Sequence, residues 1–283
     1  MKRLGNYLKE RFSDKAFLVL SSIYVAFCLF STVWWSINYT RPSYILMSAL
    51  FILFVPAILI AERLIGMRCR AVFVFLVLFV ATGSILGSPF NFYGMIPFFD
   101  TILHGTSGVL FAALGYTLAE RFFGKDGGLG KFVGKLFFAV SFSLAIAVLW
   151  EIWELGCTLI LGMETMDDTL VDSFKTFFFD GRHNVVILEG ITETIVNYGN
   201  GETLVIEGGY LDIGLFDTLA DMIICTVGAL LFVVLAVVGR AKLPALNKLL
   251  IPEAVGAKSS VECVDEGGEA SIKADATVAE ELE

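Results

Sequence analysis

Apolar residues come in long unbroken runs along this chain, and the polar residues gather between them. A helix across a ~30 Å bilayer core needs roughly 20 apolar residues. Six runs meet or approach that length: about 16–36, 43–62, 70–87, 100–121, 134–162 and 213–239, the third being the shortest. The first follows the basic start Lys2, Arg3, Lys9, Arg11 and Lys15 and has no small-x-small cleavage site behind it. It is longer than the core of a signal peptide and reads as a retained anchor.

One polar stretch, 163–212, interrupts the pattern between the fifth and sixth runs. Its first part, "ETMDDTLVDSFKTFFFD", sets Thr165 three residues before Asp168, as in a capping box, and aligns Leu170, Phe174, Phe177 and Phe178 on one helical face. That spacing predicts a short amphipathic helix lying on the membrane surface. Its second part, "NVVILEGITETIVNYGNGETLVIEGGYLDIG", is rich in β-branched residues and broken by Gly199-Asn200-Gly201 and Gly208-Gly209, which predicts a small β-hairpin. From about Ile251 the tail is acidic and lacks aromatic residues, the composition of a disordered segment.

These elements predict an all-α integral membrane protein, with about six transmembrane helices in a bundle and a small extracytoplasmic β-hairpin insertion. Residues 1–15 form a basic N-terminus, and 16–162 hold helices one to five. Residues 163–212 are the acidic insertion, 213–239 the sixth helix, and 240–283 a tail.

Composition agrees. Of 283 residues, 57% are apolar and 17% charged, with a mean hydropathy of +0.78; soluble domains sit near ~45–50% and ~25%. The net charge of −9 is unevenly held. Residues 163–212 carry ten acids against Lys175 and Arg182, and 249–283 carry nine against Lys258 and Lys273. The remaining membrane body is basic, with 16 basic and 10 acidic residues. An N-terminus inside the cell puts 15 of those 16 basic residues on the cytoplasmic side, leaving Arg41 outside. The positive-inside rule therefore predicts a prokaryotic cytoplasmic membrane protein with both termini cytoplasmic and 163–212 outside. The five cysteines have no paired spacing, so neither a disulfide framework nor a zinc ribbon is indicated. There is no phosphate-binding glycine loop, nucleophile elbow or basic patch for nucleic acid.

Three runs carry ionisable groups where lipid penalises them. Asp100 and His104 are four residues apart, Glu151 and Glu154 three, and Asp217 and Asp221 four, so each pair shares one helix face. A charge at mid-bilayer costs roughly 2.5–3.5 kcal/mol, so such groups turn into the bundle and find partners. In the predicted topology all three pairs fall in the outer half, the glutamates deepest. Gly105, Gly108 and Ala112 follow His104, and Cys225 and Gly228 continue the Asp217/Asp221 face; small residues of this kind permit close helix contact. One cluster of acids plus an imidazole, open to the outside, is the economical arrangement. With no Lys or Arg beside them, the acids either stay protonated or bind a cation. A second "DTL-x-D" word, Asp168 to Asp172, lies in the polar insertion, where acids need no special reason. His183 reads as a surface residue, and Trp150 and Trp153 as packing or interface residues.

The order Asp-x-x-x-His at 100–104, Trp-Glu-x-x-Glu at 150–154 and Asp-Thr-x-x-Asp at 217–221, followed by Gly228-Ala229, resembles the uncharacterised bacterial membrane-spanning proteins typified by YjdF. It is more distantly similar to the VanZ-like proteins of glycopeptide resistance. The resemblance covers about residues 95–232 without the insertion, implies a polytopic protein with this polar constellation, and supplies no reaction.

Three functions and one structural role fit the cluster. In a membrane enzyme, His104, Glu154, Asp217 and Asp221 would hold a divalent cation such as Mg²⁺, Mn²⁺ or Zn²⁺, with Asp100 and Glu151 completing the site. Water activated by that cation would act on a lipid headgroup or a lipid-linked envelope precursor. In a proton- or cation-coupled carrier the same groups would relay charge. A non-catalytic envelope protein would bind a lipid or hydrophobic antibiotic. The structural role is a polar network fixing helix register.

Overall fold

In lipid a helix satisfies its backbone N–H and C=O groups within its own segment, so long apolar runs fold as helices. The computed structural model describes residues 2–38, 41–124, 127–163, 165–242 and 251–254. An amphipathic helix, α1 (Lys2–Ser13), precedes the long α2 (Lys15–Asn38). The second run is broken into α3 (Pro42–Phe51) and α4 (Phe54–Ile65), with a turn at Ile52 and Leu53. Pro56 explains the break, because it has no N–H to offer the Ile52 carbonyl. Then come α5 (Ala71–Gly87), the short α6 (Phe92–Met95), α7 (Phe99–Phe123), α8 (Leu129–Leu161) and, after the insertion, α9 (Leu215–Ala241).

Five stretches are long and apolar enough to cross a membrane: α2, α3 with α4, α7, α8 and α9, at 24, 24, 25, 33 and 27 residues. The third predicted span, α5, has 17 residues, about 25 Å of helix. Its Phe73 packs with Leu110 and Tyr116 of α7, and its Gly83 lies against Leu103 near the other end of α7. It therefore runs antiparallel to α7 along much of that helix. The expected all-α membrane bundle is what forms.

The core of the bundle is α7. Helix α9 runs parallel to it and α8 antiparallel, because Ala112, Ala113 and Tyr116 of α7 pack with Ala229, Phe232 and Ala236 of α9 and with Phe132, Leu136 and Ala139 of α8. The contact with α9 is backbone-close. A Cβ on Gly108 would collide with the Cys225 carbonyl, and one on Gly228 with the Gly105 carbonyl. Ser143 of α8 donates to the Gly108 carbonyl at 3.0 Å, fixing all three helices at one level.

Far from that level a second polar knot joins α1 to α4. Buried Arg11 meets Glu62 at 3.0 Å and Asp14 at 2.8 Å, while Tyr7 donates to Glu62. Between α4 and α5, β1 (Met67–Arg68) pairs antiparallel with β8 (Glu253–Ala254). The expected disorder from about 251 therefore does not hold at 251–254, and its remainder lies outside the described residues.

The insertion corrects one expectation. Instead of an amphipathic helix, it begins with β2 (Leu170–Val171) and β3 (Ser173–Thr176), followed by a single 3-10 turn at Phe178–Asp180. A spacing of four between Leu170, Phe174 and Phe178 fits a helical face, but it also fits a period of two. A partner strand, β4 (Val186–Glu189), decides the matter by pairing Phe174 with Leu188. Phe174 also packs against Tyr210, the two rings tilted with centroids 5.0 Å apart. The predicted hairpin forms from β5 (Glu193–Tyr198) and β6 (Glu202–Glu207), and β7 (Tyr210–Leu211) closes the insertion by pairing with β2.

Candidate functional site: an acid and imidazole cluster between three helices

Parallel packing of α7 and α9 brings their N-terminal ends together, each with an acid in its first turn, Asp100 and Asp217. Acids there complement the orphan N–H groups and the positive helix end. One turn deeper, His104 faces Asp221. Its Nε2 lies 3.3 Å from Asp221 Oδ2 and 3.4 Å from Asp100 Oδ1. The other ring nitrogen faces Cys225 Sγ at 3.8 Å, and Ser107 and Cys225 both lean on the His104 carbonyl.

Helix α8 contributes Glu151 and Glu154 from the opposite side. Glu151, Glu154, Asp221 and His104 are 7%, 9%, 5% and 8% exposed. Both carboxylate oxygens of Glu151 lack a hydrogen-bond partner among the described residues, as does the Thr218 hydroxyl. The donors form two groups, Asp100–His104–Asp221 and Glu151–Glu154–Asp221, each with its ligand atoms within 4.8 Å of one another. Donors this close could surround one hard divalent ion at ~2.1–2.5 Å.

Asp217 is in neither group. Its Oδ2 accepts the Asp167 N–H at 2.9 Å, tying α9 to the strand-bearing segment. That segment folds back over the cluster. The Thr165 hydroxyl donates to the Glu154 carbonyl at 2.8 Å, so Thr165 bonds to α8 and does not cap a helix of its own. Asp212 fastens the other side by accepting N–H groups from Thr169, Gly214 and Phe216. Partial burial works against ionisation of Asp212, but those three donors outweigh it and hold the carboxyl below the usual range. Asp168 and Asp172 stay exposed on the insertion, as does His183 on its turn at 180–183.

Tyr93 is a site residue that no motif indicated. It sits in the connection before α7, and burial pushes its phenol above the ordinary range. The charges of Asp100, Glu154, Asp221 and Asp167 act in the same direction. Tyr93 and Trp150, with Phe54 and Ser84, line two adjoining cavities. One, of about 80 Å³, reaches His104, Ser107 and Cys225. The other, of about 220 Å³, lies between α3 and α8 and has Glu154 and Thr165 on its wall. The rest of each lining is mostly apolar, with Ser143 in the first and Ser43 and Ser88 in the second. Trp153, beside Glu154 in sequence, also lines the larger cavity and is 54% exposed.

Fold and site together define a polytopic α-helical membrane protein with an acid and imidazole cluster enclosed by α7, α8 and α9. The chain belongs to the family described as "Predicted membrane protein (DUF2238)", whose model matches residues 18–242. No curated protein and no solved structure matches it.

Proposed function

We propose that the chain is a divalent-cation-binding protein of the prokaryotic cytoplasmic membrane that binds and processes an envelope lipid or lipid-linked substrate at the outer leaflet. Both termini face the cytoplasm in this reading, as the positive-inside rule predicts. The observation that carries it is the convergence of Asp100 and Asp221 on one nitrogen of His104, with Glu151 and Glu154 facing the same Asp221. That nitrogen holds at most one proton, so it can give the two carboxylates only one shared, weakened hydrogen bond. Residues 99–120, 136–161 and 215–239 hold no Lys or Arg, so apart from the His104 imidazole these three helices offer the acids no basic partner at this depth. A cation supplies the missing positive charge, and hard oxygen ligands with one imidazole suit Mg²⁺ or Mn²⁺.

The two apolar cavities give a hydrocarbon chain a place beside the cluster, with Tyr93 and Trp150 at their junction. A bound divalent ion polarises a phosphoryl or carbonyl oxygen and lowers the pKa of a coordinated water. The chain's residues hold the ion, accept the released proton on a carboxylate, and exclude bulk water with the Thr165–Asp167 segment. The resemblance of the three acid motifs to those of YjdF-type and VanZ-like proteins supports a role at the cell envelope.

Metal analysis of detergent-purified protein tests the reading. Wild type should carry stoichiometric divalent metal, and Asp221→Asn should lose it. Metal absent from wild type, or unchanged in the variant, would sink it.

A further inference from the structure

Asp221 is the only residue common to the two donor groups. Asp100 and His104 approach it from α7, Glu151 and Glu154 from α8, and each group gathers its ligand atoms within 4.8 Å. A carboxylate has two oxygens and enough lone pairs to serve two ions at once. We infer that the cluster holds two divalent cations, one in each group, with Asp221 bridging them. This rests on the cation-binding reading above and specifies its stoichiometry.

Charge argues for the second ion. Asp100, Asp221, Glu151 and Glu154 carry four negative charges when ionised, and His104 is neutral as a ligand. A single dication leaves two charges uncompensated in a region of low dielectric, where Coulomb energies are largest. Two dications balance the four carboxylates. Asp217 is outside this count, because a backbone N–H and the first turn of α9 already support it.

Independent support comes from Glu151. It is 7% exposed, and neither of its oxygens makes a well-formed hydrogen bond among the described residues. The Thr218 hydroxyl, itself unpaired, is the one side-chain donor that interacts with it there. A single ion held by Asp100, His104 and Asp221 would leave it that way, and a buried carboxylate with no partner is strongly disfavoured. An ion between Glu151, Glu154 and Asp221 would give those oxygens a cation to coordinate. Two cations held ~3.5–4 Å apart, as in other two-metal sites, would stabilise both the attacking and the leaving oxygen of a displacement.

Mn²⁺ is the probe, because it reports both number and proximity. Full-length protein in detergent is stripped with chelator, loaded with Mn²⁺, desalted, and measured for metal content and by electron paramagnetic resonance. Wild type should hold two Mn²⁺ per chain with an exchange-coupled spectrum. Glu151→Gln and Glu154→Gln should each hold one with an uncoupled spectrum, the retained ion reporting an intact fold. Asp100→Asn should likewise retain the ion in the α8 group. One Mn²⁺ in wild type, with the same content in Glu151→Gln, would overturn the second ion while leaving the single-cation reading standing. Two ions unaffected by Glu151→Gln would also overturn the assignment. No bound Mn²⁺ in wild type would overturn both.

Discussion

His104 on α7 and Asp221 on α9 face each other at 3.3 Å across two helices whose backbones touch at Gly108 and Gly228. The polar contact depends on the glycines. Without that close approach, neither side chain could span the gap while the helices remained packed from Ala112 to Ala236.

A methyl group at Gly108 should therefore disturb the site without touching it. Its Cβ would meet the Cys225 backbone, which cannot swing aside as a side chain can. Overpacking of this sort costs about 1–3 kcal/mol. Gly108→Ala should lower the melting temperature in detergent and weaken the stabilisation gained from added Mn²⁺. Gly134→Ala, where nothing lies within 4 Å, is the control and should match wild type. Equal melting and equal Mn²⁺ response in both variants would contradict the close-packed interface.

The acids should separate into two classes. Glu151 makes no well-formed hydrogen bond among the described residues, so Glu151→Gln removes a poorly compensated buried charge and should raise the melting temperature in chelator. A gain of ~1 kcal/mol corresponds to roughly 2–4 °C at this size. The same variant should gain less than wild type from cation. Asp217 accepts the Asp167 N–H, so Asp217→Ala should melt lower in chelator. Both variants shifting the same way would show that the two acids do not differ in role.

Much of this was legible in sequence, and what was not has identifiable physical causes. Apolar runs and small residues report directly on lipid and on close helix contact, so the bundle, the three acid pairs and the glycine interface could be read locally. The words "DTLVD" and "DTLAD" are nearly the same, yet Leu170–Val171 is a strand and Leu219-Ala220 is helical. Here the partner decides, and Tyr210 pairs with Val171 from 39 positions away in sequence. Spacing placed Asp217 beside Asp221, but that its Oδ2 accepts the Asp167 N–H could not be read there. Tyr93 and the Arg11–Glu62 pair were equally out of reach, since each depends on packing between distant segments.

Asp212 should make the anchoring of the insertion acid-sensitive. Its folded carboxyl titrates below the ordinary value of ~3.9. Its contribution is therefore present above that pH and is lost as pH falls through the lower, folded value. Loss of a comparable side-chain cap costs ~0.5–2 kcal/mol. Asp212→Ala should make residues 163–212 more protease-sensitive at neutral pH, and lowering the pH below about 4 should narrow the difference from wild type. A difference that widens on acidification would contradict this assignment.

Topology can be read with single cysteines in a background lacking the native ones. Asn200, in the exposed turn between β5 and β6, and Gly127, between α7 and α8, lie in different polar connections. In intact cells an impermeant thiol reagent should label a cysteine at 200, and should label one at 127 only after the membrane is opened. Labelling of both from the same side would rule out the six-span arrangement.

The central claim is that divalent cation sits among Asp100, His104, Glu151, Glu154 and Asp221. Anomalous diffraction from crystals grown with Mn²⁺ addresses it most directly, because the signal locates the ion independently of any assumed ligand. The predicted result is manganese density within ~2.0–2.4 Å of an Asp221 oxygen, with Glu151 or His104 in the same coordination sphere. A well-ordered cluster whose carboxylates bond only to one another, to water and to the imidazole, with manganese elsewhere or nowhere, would contradict it.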